Sequence, residues 1–521
     1  MKFIKIASKT SAEVKFMTNF VENKLKKKLD FTRPTFAEPE IKIPCRDLTN
    51  RNHHQDSHFD ESERSKNQSE KSVFADDEDT ESEVSVVSAV TLEKVSVFLR
   101  LKPTFERIPE LYWFDEETHN VILRANMMSV ERQYTFSTIL NQATDQATVY
   151  DQCVRPVLEK PFSSLGSVFA TYGVSNSGKT YTILGESQSA GIVPRALTQI
   201  FTEYQNHIAK YPCTKVNNDQ VAILNDAQVE AEVDATEDFI KQSRKLLKGK
   251  LIDDWSADIV NDHQFQPKEF KTDYQQVFVW VSFVEIYNEK MIDLFKPQKA
   301  SFNPQLRIIS NNRNSYVHGL TWLHVSSIET ALELLQHGLR RVNYAATGLN
   351  AHSSRSHTIF TINMISECGS SYEFSSFKFC DLAGAERISK TGVAGDRLKE
   401  AGGINTSLLV LGRCLEAVQH NQKAGVKKDI VPVRESKLTF LLQSSLMGQE
   451  KFVMIVNMLP TVECFEENIN VLHFGSIANK IVTKKTQARK FSRGSSRYTY
   501  FMQHAVNSPL KMNSSWVHNE S

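Results

Sequence analysis

The run Gly173-Val174-Ser175-Asn176-Ser177-Gly178-Lys179-Thr180 has the spacing of a phosphate-binding loop, GxxxxGK[ST]. Its two glycines let backbone N–H groups wrap an anion, and a helix starting behind them favours negative charge. Lys179 is spaced to reach β and γ phosphates, and the Thr180 hydroxyl to ligate Mg²⁺. Further along, Asp381-Leu-Ala-Gly384 follows an apolar run. That puts a carboxylate at a strand end, where it can hold a Mg²⁺ water shell, and lets Gly384 offer its N–H to a γ phosphate. The segment Asn350-Ala-His-Ser-Ser-Arg-Ser-His357 gathers hydroxyls and a guanidinium. Alone it reads as any polar loop; beside the other two motifs it reads as a γ-phosphate sensor. The implied chemistry is cleavage of ATP, which needs positioned positive charge, Mg²⁺ and an oriented water, with little covalent work by the protein.

Such groups must be held by strand ends. The segment at 95–103, VSVFLRLKP, alternates like a strand and stops at Pro103. Residues 163–173, SSLGSVFATYG, are a short apolar run feeding the first glycine of the loop. PRALTQIFTEYQNHI reads as a helix with Pro194 at its start. VFVWVSFVEIYNEKMIDLF reads as a buried strand running into a helical turn. HTIFTINMIS, SSFKFCDLAG and KFVMIVNMLP supply three more strands, and helical periodicity begins at Ile404. Strands alternating with helices, with chemistry at strand ends, indicate an α/β, three-layer fold with a mixed central sheet and helices on both faces.

Composition sets the outer limits. The 521 residues carry 62 Lys plus Arg against 61 Asp plus Glu, a formal net charge of +1. That balance argues against coating nucleic acid across the whole surface, so any acidic partner must be met by a local basic patch. The seven cysteines show no CxxC spacing and read as free thiols in a reducing compartment. No apolar run approaches the ~20 residues that span a bilayer, and the N-terminus lacks the apolar core of a signal peptide. The chain therefore reads as soluble and intracellular, with no membrane role. Residues 1–90 are polar, with an acidic patch at Asp76–Asp79 and a basic run at Lys24, Lys26, Lys27 and Lys28, and read as a largely disordered leader. The basic run is either a localisation signal, a polyanion contact or the solvated face of a short helix. Residues 207–274 interrupt the strand pattern with a charge-laced helical stretch and read as a surface insertion. After Lys480 the chain is polar and basic without heptads, so it shows no coiled-coil stalk.

The three motifs together resemble the phosphate loop, switch I and switch II of a kinesin motor domain, in the family's order, over residues 91–480. VEIYNEKMIDL (284–294), KEAGGINTSLLVLG (399–412), VPVRESKLTFLLQSSLMG (431–448) and NVLHFGSIANK (470–480) are further landmarks. The insertion and the RLKP strand resemble the kinesin-6 branch, the group of mitotic kinesin-like protein 2. The resemblance implies that Arg100, Lys102 and Pro103 form the adenine-side strand, with Lys102 where the family usually carries arginine. Tyr181 would flank the base or the loop leading from it. Ser353 and Ser354 would position the attacking water and, through Ser354, join Thr180 and Asp381 at Mg²⁺. Arg355 and Glu386 would form the bridge that closes the switches around ATP, with Glu386 also able to pass on a proton from the water. Asn350 and His357 would organise the switch network.

The resemblance also implies a track-binding face from Ile388 through the helix near Ile404, with Lys423, Lys427, Lys428 and Lys437 close by. Microtubules are acidic, so local lysines would speed association despite the near-zero total charge. Thr406 and Phe440 stand where many kinesins carry Lys and Arg. Gly402 and Gly403 are expected just before the helix, weakening its start. The expected function is a microtubule-stimulated ATPase acting as a plus-end-directed motor in spindle or midzone organisation, located on spindle microtubules in the cytoplasm or in the nucleus between divisions. The alternative is a nucleotide-regulated microtubule crosslinker with little stepping; a soluble phosphoryl-transfer enzyme or a noncatalytic scaffold is the third reading. Expected partners are tubulin and either a second copy of the chain or spindle-associated proteins. The segment after Asn479 resembles the start of a neck linker.

Overall fold

The computed structural model describes residues 92–124, 131–217, 220–247, 255, 265–267, 274–296, 306–310, 315–346, 355–369, 371–386, 396–484 and 489–492. These all belong to one unit, Val86–Ser521. The expected leader, most of the switch I loop with Asn350, Ser353 and Ser354, and the tail beyond Ser492 lie outside the described residues.

A sheet of ten strands forms the middle layer. Its main path uses β1 (Ser96–Leu101), β2 (Thr138–Leu140), β3 (Gly166–Tyr172), β4 (Tyr274–Tyr287), β5 (Lys290–Asp293), β6 (His357–Cys368), β7 (Ser371–Asp381) and β8 (Lys451–Met458) in the order β5-β4-β6-β7-β3-β8-β1-β2. From β7 to β2 every neighbour is parallel, whereas β5, β4, β6 and β7 pair antiparallel. The sheet is therefore mixed, as the sequence pattern implies.

Side chains alternate across the strands and separate two cores. Val97, Leu99 and Leu101 of β1 face one side with Val168 and Ala170 of β3 and Met454 and Val456 of β8. Against them pack α6 (Asp396–Asn421), α7 (Lys437–Leu441) and α8 (Phe465–Ala478) through Leu411, Leu438 and Leu472. Phe98, Phe169, Val453 and Ile455 face the other side. They meet α1 (Gln146–Cys153), α3 (Ile192–Glu203) and α5 (Ile328–Ala346) through Tyr150, Leu197 and Leu334. Strands buried on both faces explain the near-continuous apolar runs.

Two local expectations are corrected. VEIYNEKMIDL does not run into a helical turn: β4 and β5 form a hairpin, with Tyr287 opposite Lys290. Asn288 (φ 47°) and Glu289 (φ 57°) both take the left-handed conformation that a two-residue hairpin turn requires. Gly402 and Gly403 lie inside α6, which begins at Asp396, eight residues before Ile404. Tertiary packing holds a helix whose glycines would each cost roughly 0.5–1 kcal/mol relative to alanine.

The 207–274 region contains a small hairpin, Thr214–Asn217 with Gln220–Ile223, and the amphipathic helix α4 (Asp226–Leu247). Its inner side joins the sheet's packing. Phe239 of α4 meets Phe295 and His337 edge-on, His337 Nδ1 lies 2.9 Å from Ser243 Oγ, and Trp280 Nε1 donates to Thr214 O. Trp255 is buried at 1% exposure.

Candidate active site

The phosphate loop leaves the C-terminal end of β3 and re-enters structure as α2 (Lys179–Leu184). Gly173 is forced by proximity: a Cβ there would lie 2.1 Å from the backbone oxygen of Asn457 on β8. Inside the loop, buried Lys179 donates to the carbonyl oxygens of Gly173 and Val174 at 3.0 and 2.9 Å. Burial lowers the Lys179 pKa, while Asp381 and Glu386 pull it back up. The hydroxyl of Ser177 is buried with no hydrogen-bond partner among the described residues. A loop so built holds a cation and an unsatisfied polar atom together, which suits an incoming phosphate.

Asp381 stands at the end of β7, one strand away. Thr180 Oγ1 donates to its Oδ2 at 2.6 Å, and Thr171 Oγ1 to its Oδ1 at 3.2 Å. Burial raises the Asp381 pKa, opposed by Lys179 and the two threonine hydroxyls. The segment that follows folds back onto the phosphate loop. Ala385 N donates to Gly173 O at 3.0 Å. Glu386 Oε2 accepts from Ser175 N at 2.9 Å, and Oε1 accepts from Ser175 Oγ. A Cβ on Gly384 would fall 2.2 Å from Glu386 Oε2 and 2.5 Å from Ser175 Oγ, so a side chain there would push both groups aside and break their contact. Of the switch I segment, Arg355 is half-buried and His357 begins β6.

On β1, Arg100 turns inward. Its Nη1 donates to Gln146 Oε1 at 2.8 Å and to Thr182 Oγ1 at 2.9 Å, and its guanidinium lies 5.3 Å from the Tyr181 ring centre. Lys102 Nζ caps the loop by donating to Asn176 O at 2.7 Å, and Pro103 is exposed nearby. The sequence pattern did not single out Gln146, Thr182 or Asn457. Asn457 Nδ2 donates to Thr182 Oγ1 at 2.7 Å, its backbone abuts Gly173, and its Oδ1 is buried with no partner among the described residues. A lone amide inside the apolar run KFVMIVNM was the available signal.

The comparisons agree with this geometry. The kinesin motor domain profile matches residues 60–481. This chain belongs to the kinesin motor domain family. It is 41% identical over 456 residues to the kinesin-like protein subito of Drosophila melanogaster, covering 80% of this chain and 70% of that one. It is 34% identical over 377 residues to human kinesin-like protein KIF20B, covering 68% of this chain but only 20% of that protein. A solved structure described as kinesin 6 superposes with a TM-score of 0.59 at 26% identity, covering 76% of this kinesin and all of that chain. A structure of a fast kinesin, described with its ATPase mechanism and interactions with microtubules, gives a TM-score of 0.56 at 26% identity, covering 76% and 94%. The motor-domain resemblance and its leaning to the kinesin-6 branch are thus borne out, as is the P-loop kinesin fold. Kinesin motor domains are microtubule-stimulated ATPases.

The face that carries α6 and α7 holds the expected lysines of this kinesin. Lys423, Lys427 and Lys428 are exposed in the loop after α6, and Lys437 opens α7 half-buried. Exposed Arg413 of α6 pairs with Glu435 in the short turn Val433–Glu435 before α7, and Asn421 fixes Asp429. Thr406 is exposed, and Arg434 covers the Phe440 ring at 5.6 Å, which keeps a guanidinium beside the position that lacks one. Beyond α8, Val482–Lys484 pairs antiparallel with Leu92–Lys94, and Gln422 bonds both backbone groups of Val482. Among the described residues no helix is long and apolar enough to cross a membrane.

Proposed function

We propose that this kinesin couples ATP hydrolysis to plus-end-directed movement along microtubules in spindle or midzone organisation, with nuclear residence between divisions. The observation that carries the ATPase part is the meeting of Lys179, Thr180, Asp381 and Gly384 at the ends of two adjacent parallel strands. Lys179 would exchange its two carbonyl partners for β and γ phosphate oxygens. Gly384 would offer its N–H to the γ phosphate, and Arg355 would pair with Glu386 once that carboxylate leaves Ser175. Ser353 and Ser354 would orient the water. Thr180 and Asp381 bring two hard oxygen donors together, fitting Mg²⁺, and Ser354 would be a third. Bound there, the metal would neutralise charge on the transferring phosphate.

The exposed lysines after α6 support acidic tubulin as the partner. The crosslinker reading is favoured by one observation, the neutral Thr406 exposed on α6. Steady-state ATPase of the full chain, with and without microtubules, tests the main reading; stimulated turnover is expected, and its absence overturns the proposal. Single molecules on polarity-marked microtubules separate the two versions, since plus-end stepping excludes a crosslinker and static binding excludes a motor.

A further inference from the structure

His357 sits where three elements meet. It opens β6 at the end of the switch I segment, and is 2% exposed. Its Nδ1 lies 3.0 Å from the backbone nitrogen of Ala383, between Asp381 and Glu386 in switch II. Its Nε2 lies 2.7 Å from Ser407 Oγ, on α6 beneath the track-facing surface. Ser407 is likewise 2% exposed, one residue from exposed Thr406.

The protonation follows from the partners. A backbone N–H only donates, so Nδ1 must accept and the imidazole proton must reside on Nε2. Nε2–H then donates to the Ser407 hydroxyl. One neutral ring in a single tautomer therefore spans the phosphate-sensing segment and the helix under the track face. The ring is rigid, and leaving either side unpartnered would strand a buried polar group. Displacement of Ala383 when the switches close must consequently move the ring, α6, or both.

We propose that His357 is a positioning residue that couples switch II to α6, so that microtubule binding and nucleotide state act on one another through the Ala383–His357–Ser407 chain. This rests on the motor reading above. Two half-mimics separate its arms. In His357→Asn the side-chain oxygen replaces Nδ1 and keeps the Ala383 contact but cannot reach Ser407. In His357→Gln the amide nitrogen replaces Nε2 and keeps Ser407 but loses Ala383. Ser407→Ala removes the far end without touching the nucleotide site.

The test is full-chain ATPase with and without microtubules, alongside thermal melting. Wild type must first show stimulation; if it does not, the motor reading itself fails. Ser407→Ala should keep basal turnover within about twofold of wild type while the microtubule-stimulated increment falls about fivefold or more. His357→Asn combined with Ser407→Ala should be no worse than His357→Asn alone, because both cut the same arm. His357→Gln, which cuts the other end of the same series chain, should likewise show no further loss of stimulation on adding Ser407→Ala. Stimulation retained in Ser407→Ala, or losses that multiply in the Asn double variant, would overturn the coupling role. A lowered melting temperature with an unchanged stimulation ratio would overturn it too, leaving a purely structural histidine.

Discussion

Glu386 holds Ser175 with both carboxylate oxygens, one on the backbone N–H and one on the hydroxyl. An anion of the protein is thus seated on phosphate-loop donors beside Gly384. The expected Arg355 bridge then requires an exchange of partners, driven by the arriving γ phosphate. Glu386→Ala should bind a fluorescent ATP analogue at least as tightly as wild type, while turnover falls by about 10²–10³-fold. A double-mutant cycle with Arg355→Ala, read as fluorescence between the switch loops, should show coupling. Binding that weakens in step with turnover would count against the exchange.

Lys179 is the charge about which the loop is wound, with two loop carbonyls as its partners. Lys179→Ala should cut microtubule-stimulated turnover by roughly 10²–10³-fold, the scale expected on losing a preorganised charge at a reacting phosphate. Thr180→Ala should instead raise the Mg²⁺ concentration needed for half-maximal turnover. A Mg²⁺ titration unchanged from wild type would remove Thr180 from the metal site.

The 207–274 region is more than a surface appendage. Trp255, with 1% exposure, belongs to the core that also holds Phe295 and Leu334. Trp255→Ala should cost about 3–5 kcal/mol in chemical denaturation, as for other large aromatic truncations in a core. Deleting residues 215–265 should lower the melting temperature by uncovering Phe295, His337 and Trp280, whereas an unshifted melt would mean that the region merely lies on the surface.

That region marks where the sequence ceased to be legible. Its helix was readable from charge and period, but a long polar stretch does not announce that one tryptophan and one phenylalanine reach back into the core. The phosphate loop was readable because its chemistry fixes residue type and spacing along the chain. Asn457, Gln146 and Thr182 were not, since their importance comes only from strand order bringing β8 and α1 beside α2. The hairpin at Asn288–Glu289 was missed because neither residue is glycine, the usual signal for positive φ.

Two further histidines set a pH limit on the fold. Burial lowers His324 to about 4, and burial with nearby Arg341 and Arg340 lowers His337 to about 4. Between pH 6.5 and 4 the unfolded chain takes up protons that the folded chain refuses, so stability falls as pH falls through that window. Each unit of difference carries about 1.4 kcal/mol. His324→Phe keeps a ring against Trp280 and removes one titration. Melting temperatures measured from pH 7.5 down to 5 should therefore fall less steeply in that variant; an equal slope would show that His324 is not buried in its neutral form.

The strand order has a consequence for synthesis. β3, which carries the phosphate loop, lies between β7 and β8, and the Asn457–Thr182 bond joins residues 275 positions apart. On the ribosome, the loop emerges long before the strand that completes its wall. Until β8 leaves the exit tunnel, β3 lacks a neighbour along one full edge, and apolar Phe169 and Val168 have no β8 to pack beside. Nucleotide cannot rescue that nascent intermediate, because its binding wall has yet to be translated. Slowing elongation before Lys451 should lengthen the exposure of that edge and raise aggregation of the nascent chain.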